Sequence, residues 1–177
     1  AHHAARALFP LAQYQNVAAR RATRRALKQT PAMELLEALR TRRTIKEFDG
    51  REVPETLILQ SLEAGLWAQN HRLTQPWRFH LVGAQTKTQI AQIFPKILQK
   101  PVVVAVSCLK SDGGEQEWED QLAVACAIQN IHLRAHDLGL GMQWSSGKAA
   151  IGPRTSEILG LETSREILIA QVLRRLD

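Results

Sequence analysis

No run of this 177-residue chain is apolar for long enough to cross a bilayer. The longest mainly apolar stretch, Pro101–Leu109, falls far short of the roughly 20 residues that a spanning helix needs. Cysteine is almost missing. Cys108 and Cys126 are the only two, both inside apolar segments and far from any metal-ligand spacing, so they read as buried, reduced thiols of a cytoplasmic protein. Acid is absent from residues 1–32, which carry Arg6, Arg20, Arg21, Arg24, Arg25 and Lys28. Those six cations account for the whole formal charge of +6, since the rest of the chain balances 17 basic residues against 17 acidic ones. The body is therefore neutral, and a nucleic-acid-binding domain is not indicated. Affinity for polyanions or membranes would lie in the arm alone. Repeats and low-complexity tracts are absent as well.

What is present fits one domain, or one protomer of a dimer, over residues 33–177, preceded by a basic arm or added extension over residues 1–32. Ala1-His2-His3 resembles a tag, and Met33 has the look of the natural start. An Arg-rich, acid-free N-terminus is also the composition of an organelle transit peptide, but this one lacks serine. We expect the arm to have no catalytic function.

Leu35, Leu36 and Leu39 predict a helix over 34–42. Pro54 and Glu55 open a second, with Leu59, Leu62 and Leu66 as its buried face. A strand follows over 77–83, then a helix over 86–99 that Pro95 breaks. The β-branched run within Pro101–Cys108 predicts a central strand buried on both faces. Residues 110–116 read as a mobile loop. Trp118-Glu119-Asp120 then begins the longest helix, about five turns long, closing at Gly139. Leu122, Ala125, Cys126, Gln129, Leu133 and His136 lie along one of its sides, and Ala123, Ala125 and Ala127 would admit another helix closely. Apolar around most of its circumference, it suggests a dimer core. A strand ending at residues 141–147, a short helix over 155–159 and a last strand over 166–173 complete an α+β chain with a layered sheet.

Several familiar motifs fail. Gly141 to Lys148 approaches a phosphate loop, but it has one residue too many between its glycines, and Ala149 stands where a hydroxyl is needed. Gly139 and Gly141 follow a helix rather than a strand, so they make no dinucleotide fingerprint. His132 and His136 share a helix face, yet no third metal ligand is evident and Leu133 replaces a zinc protease's glutamate. They are expected to be surface or dimer-contact histidines. No Ser-His-Asp or Cys-His spacing stands out, although triads assemble from distant residues.

The segment from Trp67 to Phe79 is different. It holds two indoles, a phenyl ring, two guanidiniums, an imidazole and several amides. Aromatic surface can bury the faces of a flat ligand while amides and cations read its rim. Trp67, His71 and Gln75 stand where ring edges could be met. Arg42, Arg43 and Thr44 offer two planar forks and a hydroxyl to a phosphate, and Trp144, Ser145 and Ser146 offer a second wall. The set suits a planar, anionic, redox-active cofactor. A flavin accepts the hydride itself and needs little more than donors or cations near its ring.

These pieces resemble the nitroreductase family of FMN-dependent flavoenzymes, most of all its short-chain branch. The matching segments are Arg42-Arg43-Thr44 with Phe48, Gln75-Pro76-Trp77-Arg78-Phe79, Trp118-Glu119-Asp120 with residues 125–130, Leu138-Gly139-Leu140-Gly141 and Trp144-Ser145-Ser146-Gly147. They occur in family order over about residues 33–173. The resemblance implies a homodimeric three-layer α+β sandwich with a central, mostly antiparallel sheet and FMN at the subunit interface. It implies that NAD(P)H reduces the flavin and that a nitroaromatic, quinone or similar acceptor reoxidises it, in a two-step reaction. Arg42, Arg43 and Thr44 would hold the ribityl phosphate and its polar chain. Trp67 and His71 would meet FMN across the interface, and Trp144, Ser145 and Ser146 would flank the ring. The helix end at residues 134–139 would lie by the nicotinamide nucleotide. No catalytic side chain is expected beyond the flavin, and no metal.

Three departures bear on this reading. Gln69 stands where the family usually has proline, and Thr44 where it has serine. The family normally continues past the last strand into an extension that wraps the partner, whereas this chain stops at Asp177. Either that tail is missing here, Arg174 and Arg175 replace its basic residue, or FMN binding is weak. The segment from Phe94 to Pro101 is also short for the family. Two other readings stay open: a flavin-sequestering protein with a degenerate site, and a regulatory dimer using its arm on nucleic acid.

Overall fold

The computed structural model describes residues 6–7, 33–111 and 113–175, with side chains in the last strand as far as Leu168. Its centre is β3 (Val102–Leu109), where the β-branched run places six consecutive residues out of solvent. β2 (Trp77–Leu81) pairs with β3 antiparallel on one side and β5 (Glu166–Arg175) does so on the other. β4 (Leu140–Ser145) adds to β5, and β1 (Arg6–Ala7) adds to β2. The sheet order is thus β1-β2-β3-β5-β4, antiparallel throughout. Apart from β1, the expectations for the arm lie outside the described residues.

Both faces of β3 are covered, so the fold is the three-layer α+β sandwich expected. Val104, Val106 and Cys108 face the larger core under α2 (Glu55–Gly65) and α4 (Gly114–Asp137). Val103 and Ala105 face a smaller one with Ile90, Ile97, Leu159 and Leu168. That second layer comprises α3 (Ala84–Ala91), a 3-10 turn (Pro95–Gln99), α5 (Lys148–Ile151) and α6 (Pro153–Leu159). Pro95 does break the expected 86–99 helix.

Two helices show their inner faces. α2 buries Ile58, Ser61, Leu62 and Gly65; of the expected leucines Leu62 is fully buried, while Leu59 and Leu66 are half-buried. Small residues form half of the buried stripe: a Cβ on Gly65 would come within 2.9 Å of Ile131 Cδ1. This glycine, with Ala123 and Ala127 opposite, is what lets α2 and α4 pack closely.

α4 begins four residues earlier than expected, leaving a shorter loop. Gly113 and Gly114 turn the chain at φ 89° and 72°, and Glu115 and Glu117 suit the positive end of the helix dipole. Its buried stripe is Asp120, Ala123, Val124, Ala127, Ile128, Ile131, His132 and Ala135. On the side that carries Leu122, Ala125, Cys126, Gln129, Leu133 and His136, Leu122 and Gln129 are exposed and the others half-buried. α1 (Leu35–Thr41) buries only Ala38.

Candidate functional site

α1 is fixed to the end of α4 at both of its own ends. The Met33 amide donates to Asp137 Oδ1 at 2.7 Å. At the other end Thr41 Oγ1 donates to the Glu37 carbonyl at 2.7 Å and lies 2.8 Å from His136 Nε2. With the hydroxyl proton committed to Glu37, the imidazole is the donor in that second bond. These ties set the position of the arginines that follow α1.

Arg42 and Arg43 line a cleft of about 160 Å³ with Thr41, Ile45, His132, His136 and Leu140–Met142. Arg43 folds its guanidinium onto the carbonyls of Arg40 and Arg42, at 2.6 and 2.9 Å, which caps the helix C-terminus. Thr44 forms a parallel bridge with Met142, and the Ile45 amide donates to the Met142 carbonyl at 3.0 Å. The arginine segment therefore runs beside β4, the strand that ends in Trp144 and Ser145. From Met142 to Ser146 is about 13 Å along an extended chain. Trp144 and Ser146 are exposed, while Ser145 turns towards the second core.

His132 was not singled out as a site residue. Expected as a surface or contact histidine, it is instead only 4% exposed, in the wall of this cleft. Neither ring nitrogen has a hydrogen-bond partner among the described residues. Burial, and then the positive charge of Arg42, push its pKa down to about 4, so it is neutral at pH 7. Its sequence signal was an imidazole on an otherwise apolar helix stripe.

Trp67, His71 and Gln75 lie elsewhere in the chain. Trp67 is 61% exposed in an open groove with Leu35, Ala38, Leu133 and Arg134. Arg134 is committed to Asp137 and to Gln60. His71 is exposed, with Nδ1 at 3.7 Å from Glu119 Oε2. The loop carrying His71 and Gln75 is strained: Arg72, Leu73 and Gln75 have φ of 56°, 55° and 46°, a region L-residues seldom occupy. Two anchors hold it. Asn70 Oδ1 accepts the Gln75 amide at 2.9 Å, and the buried Asp120 accepts the Thr74 hydroxyl at 2.6 Å and Gln116 Nε2 at 2.9 Å. Sequence reading missed Asp120 in this role, because its partner Thr74 is 46 residues away.

The structure thus brings Arg42, Arg43 and Thr44 beside the strand of Trp144 and Ser145. It does not bring Trp67 or His71 into that cleft within one chain.

A family model described as the Nitroreductase family matches residues 39–113 and 94–173. The chain belongs to the nitroreductase family. A Bacillus subtilis relative named "Putative NAD(P)H nitroreductase YfhC" is 30% identical over 149 residues, covering 72% of this chain and 77% of its own length. Among solved structures, a nitroreductase-like family protein from Bacillus cereus has a TM-score of 0.75 at 23% identity, over 84% of this chain and 89% of its own. A structure from Desulfovibrio desulfuricans, described as "a putative nitroreductase in complex with fmn", has a TM-score of 0.70 at 25% identity, over 82% of this chain and 88% of that one.

Two other polar clusters of this nitroreductase chain stand apart from the cleft. Ser107 Oγ donates to Glu166 Oε2 at 2.5 Å and lies 3.0 Å from His80 Nε2. Serine here sits between histidine and acid and is fully buried, so it is no activated nucleophile. Of the cysteines, Cys108 is buried and its thiol is pushed up to about 12, by burial first and then by Asp120 and Glu117. Cys126 is only half-buried and accepts from Gln69 Nε2 at 3.3 Å. Among the described residues no group of three or more His, Cys, Asp or Glu could hold a metal ion. No described helix is long and apolar enough to cross a membrane.

Proposed function

We propose that the protein is an FMN-dependent oxidoreductase that takes a hydride from NAD(P)H and passes it to a nitroaromatic, quinone or similar acceptor in two half-reactions. The observation that carries this reading is the cleft itself. Two arginines and an unpartnered buried imidazole line one wall, and β4 leads from there to Trp144, Ser145 and Ser146. That donor set, with no carboxylate among its lining residues, suits a phosphate on a polyol chain. The FMN in the Desulfovibrio structure and the NAD(P)H in the Bacillus subtilis protein's name support the same reading.

In this account Arg42 and Arg43 hold the phosphate, Thr44 meets the polar chain, and Trp144, Ser145 and Ser146 flank the ring. Gln75 meets a ring edge, and Trp67 and His71 reach the ring from a second copy of the chain, so the working unit is a homodimer. When bound, FMN supplies a ring that accepts a hydride and gives it up again. The protein's part is to bind and orient it, to exclude water from its ring and to leave one face open to small substrates. We place the reaction in the cytoplasm, where Cys108 and Cys126 would stay reduced.

The test is an absorbance titration of the flavin-free protein with FMN, followed by NADH or NADPH without oxygen. A bound flavin band that bleaches, and returns on adding a quinone or nitroarene, is the expected result. Bound flavin that is never reduced would favour a flavin-sequestering protein. No flavin uptake by folded protein would overturn both readings.

A further inference from the structure

Along the inner stripe of α4, packing is supplied by Val124, Ala127, Ile128, Ile131 and Ala135, all buried. His132 interrupts this stripe where a leucine would fill the same space. Buried polar groups are nearly always hydrogen-bonded, yet both nitrogens of this ring lack a partner among the described residues. An imidazole kept in such a place marks a ligand group that meets it.

The charges around it indicate which kind. From the end of α1 come the guanidiniums of Arg42 and Arg43, while His136, one turn further along α4, is engaged with Thr41 Oγ1. β4 contributes only Leu140, Gly141 and Met142 to the cleft, none of them charged. With no anion present, burial and then the positive charge of Arg42 push the ring's pKa down to about 4, and it stays neutral. A dianion beside Arg42 outweighs that charge and gives an N–H on the ring an acceptor. Both effects favour the charged imidazolium.

Resting on the flavin reading above, we propose that His132 takes up a proton from solvent when the cofactor's phosphate monoester enters the cleft beside Arg42, so that FMN binding is proton-linked and riboflavin binding is not. His132 is on this account a phosphate-positioning residue. The step forms one N–H bond, with the proton drawn from the buffer and no change in oxidation state.

The experiment is calorimetric titration of the flavin-free full chain with FMN, and separately with riboflavin, at pH 7.5 in two buffers of different ionisation enthalpy. At that pH a phosphate monoester, with a second pKa of about 6, is already dianionic. The wild type should take up close to one proton with FMN and none with riboflavin. Its FMN affinity should then fall by up to about tenfold per pH unit above neutrality. His132→Gln and His132→Leu should both abolish the uptake and flatten the pH profile, and two variants guard against one that misfolds. FMN binding without proton uptake, or uptake that persists in a folded variant, would overturn this inference alone. Failure of FMN and riboflavin alike to bind would overturn it together with the flavin reading.

Discussion

On the face of the sheet that carries Val103 and Ala105, Ile90, Ile97, Leu159 and Leu168 close the core, and among the described residues only Ile93 and Leu98 are left there as large apolar residues in solvent. On the other face, the inner side of α4 is as well buried, but the outer layer is unfinished. Leu35 is 66% exposed, Trp118 63% and Leu122 46%, with Leu36, Leu39 and Trp67 also uncovered. Apolar exposure of this kind, gathered on α1, α4 and the turn after α2, is how a protein surface meets another. Among the described residues one side is closed by its own side chains, and the other leaves apolar side chains in solvent. Within the open layer the site residues also divide: Arg42 and Arg43 line a cleft of α1, α4 and β4, while Trp67 and His71 are exposed.

The comparison breaks most directly at the leucines. Leu62→Ala or Ile128→Ala, in the closed core, should cost about 2–5 kcal/mol, read from urea unfolding. Leu35→Ser combined with Leu39→Ser should leave monomer stability within about 0.5 kcal/mol. It should instead weaken dimerisation by about tenfold or more in sedimentation equilibrium, since these side chains would leave a desolvated patch. Unchanged self-association would mean that the exposed leucines serve no interface.

A smaller effect probes the inner side of α4. His132 has a folded pKa of about 4 against an unfolded value near 6.5, so below pH 6.5 the unfolded chain binds the extra proton. Stability of the flavin-free protein should therefore be intact above pH 6.5 and fall as the pH drops towards 4, by on the order of 3 kcal/mol from this residue. His132→Leu should remove that part of the acid sensitivity, as measured by denaturant midpoints across the range. A variant as acid-sensitive as the wild type would show that His132 is already charged or already paired.

Asp120, on the inner side of α4, tests the strained loop that it anchors through Thr74. Asp120→Ala should cost about 1–3 kcal/mol by leaving Thr74 and Gln116 without their acceptor, and it should speed proteolysis between residues 70 and 75. Asp120→Asn keeps an acceptor oxygen and should lose less. Equal losses would show that charge, rather than the hydrogen bonds, anchors the strained loop.

Much of this division was legible in the sequence and some was not, for physical reasons. The run Val102–Val106 could only be a strand buried on both sides, since five small apolar residues with no polar alternation fit nothing else at that length. Pro95 and Gly139 marked breaks because proline lacks an N–H and glycine tolerates φ of 73°. The facing of α4 was illegible, because residues suited to a core and residues suited to an interface alternate around it. Arg42, Arg43 and Thr44 could be read as a group because they are adjacent. His132 joins them only through the packing of α1 against α4, and Asp120 meets Thr74 only once the loop has folded over the helix.

If, as proposed, the flavin site is shared, Arg42 comes from one chain and Trp67 and His71 from the other. Complementation tests this directly. Arg42→Ala protein and Trp67→Ala/His71→Ala protein, each deficient in FMN binding, would be mixed in equal amounts, allowed to exchange subunits and titrated with FMN. In a two-fold dimer with shared sites, each mixed dimer has one intact site and one doubly defective site, so about a quarter of all sites should regain wild-type affinity. No recovery in a mixture shown to contain mixed dimers would place all of these residues in one chain's site and contradict the account.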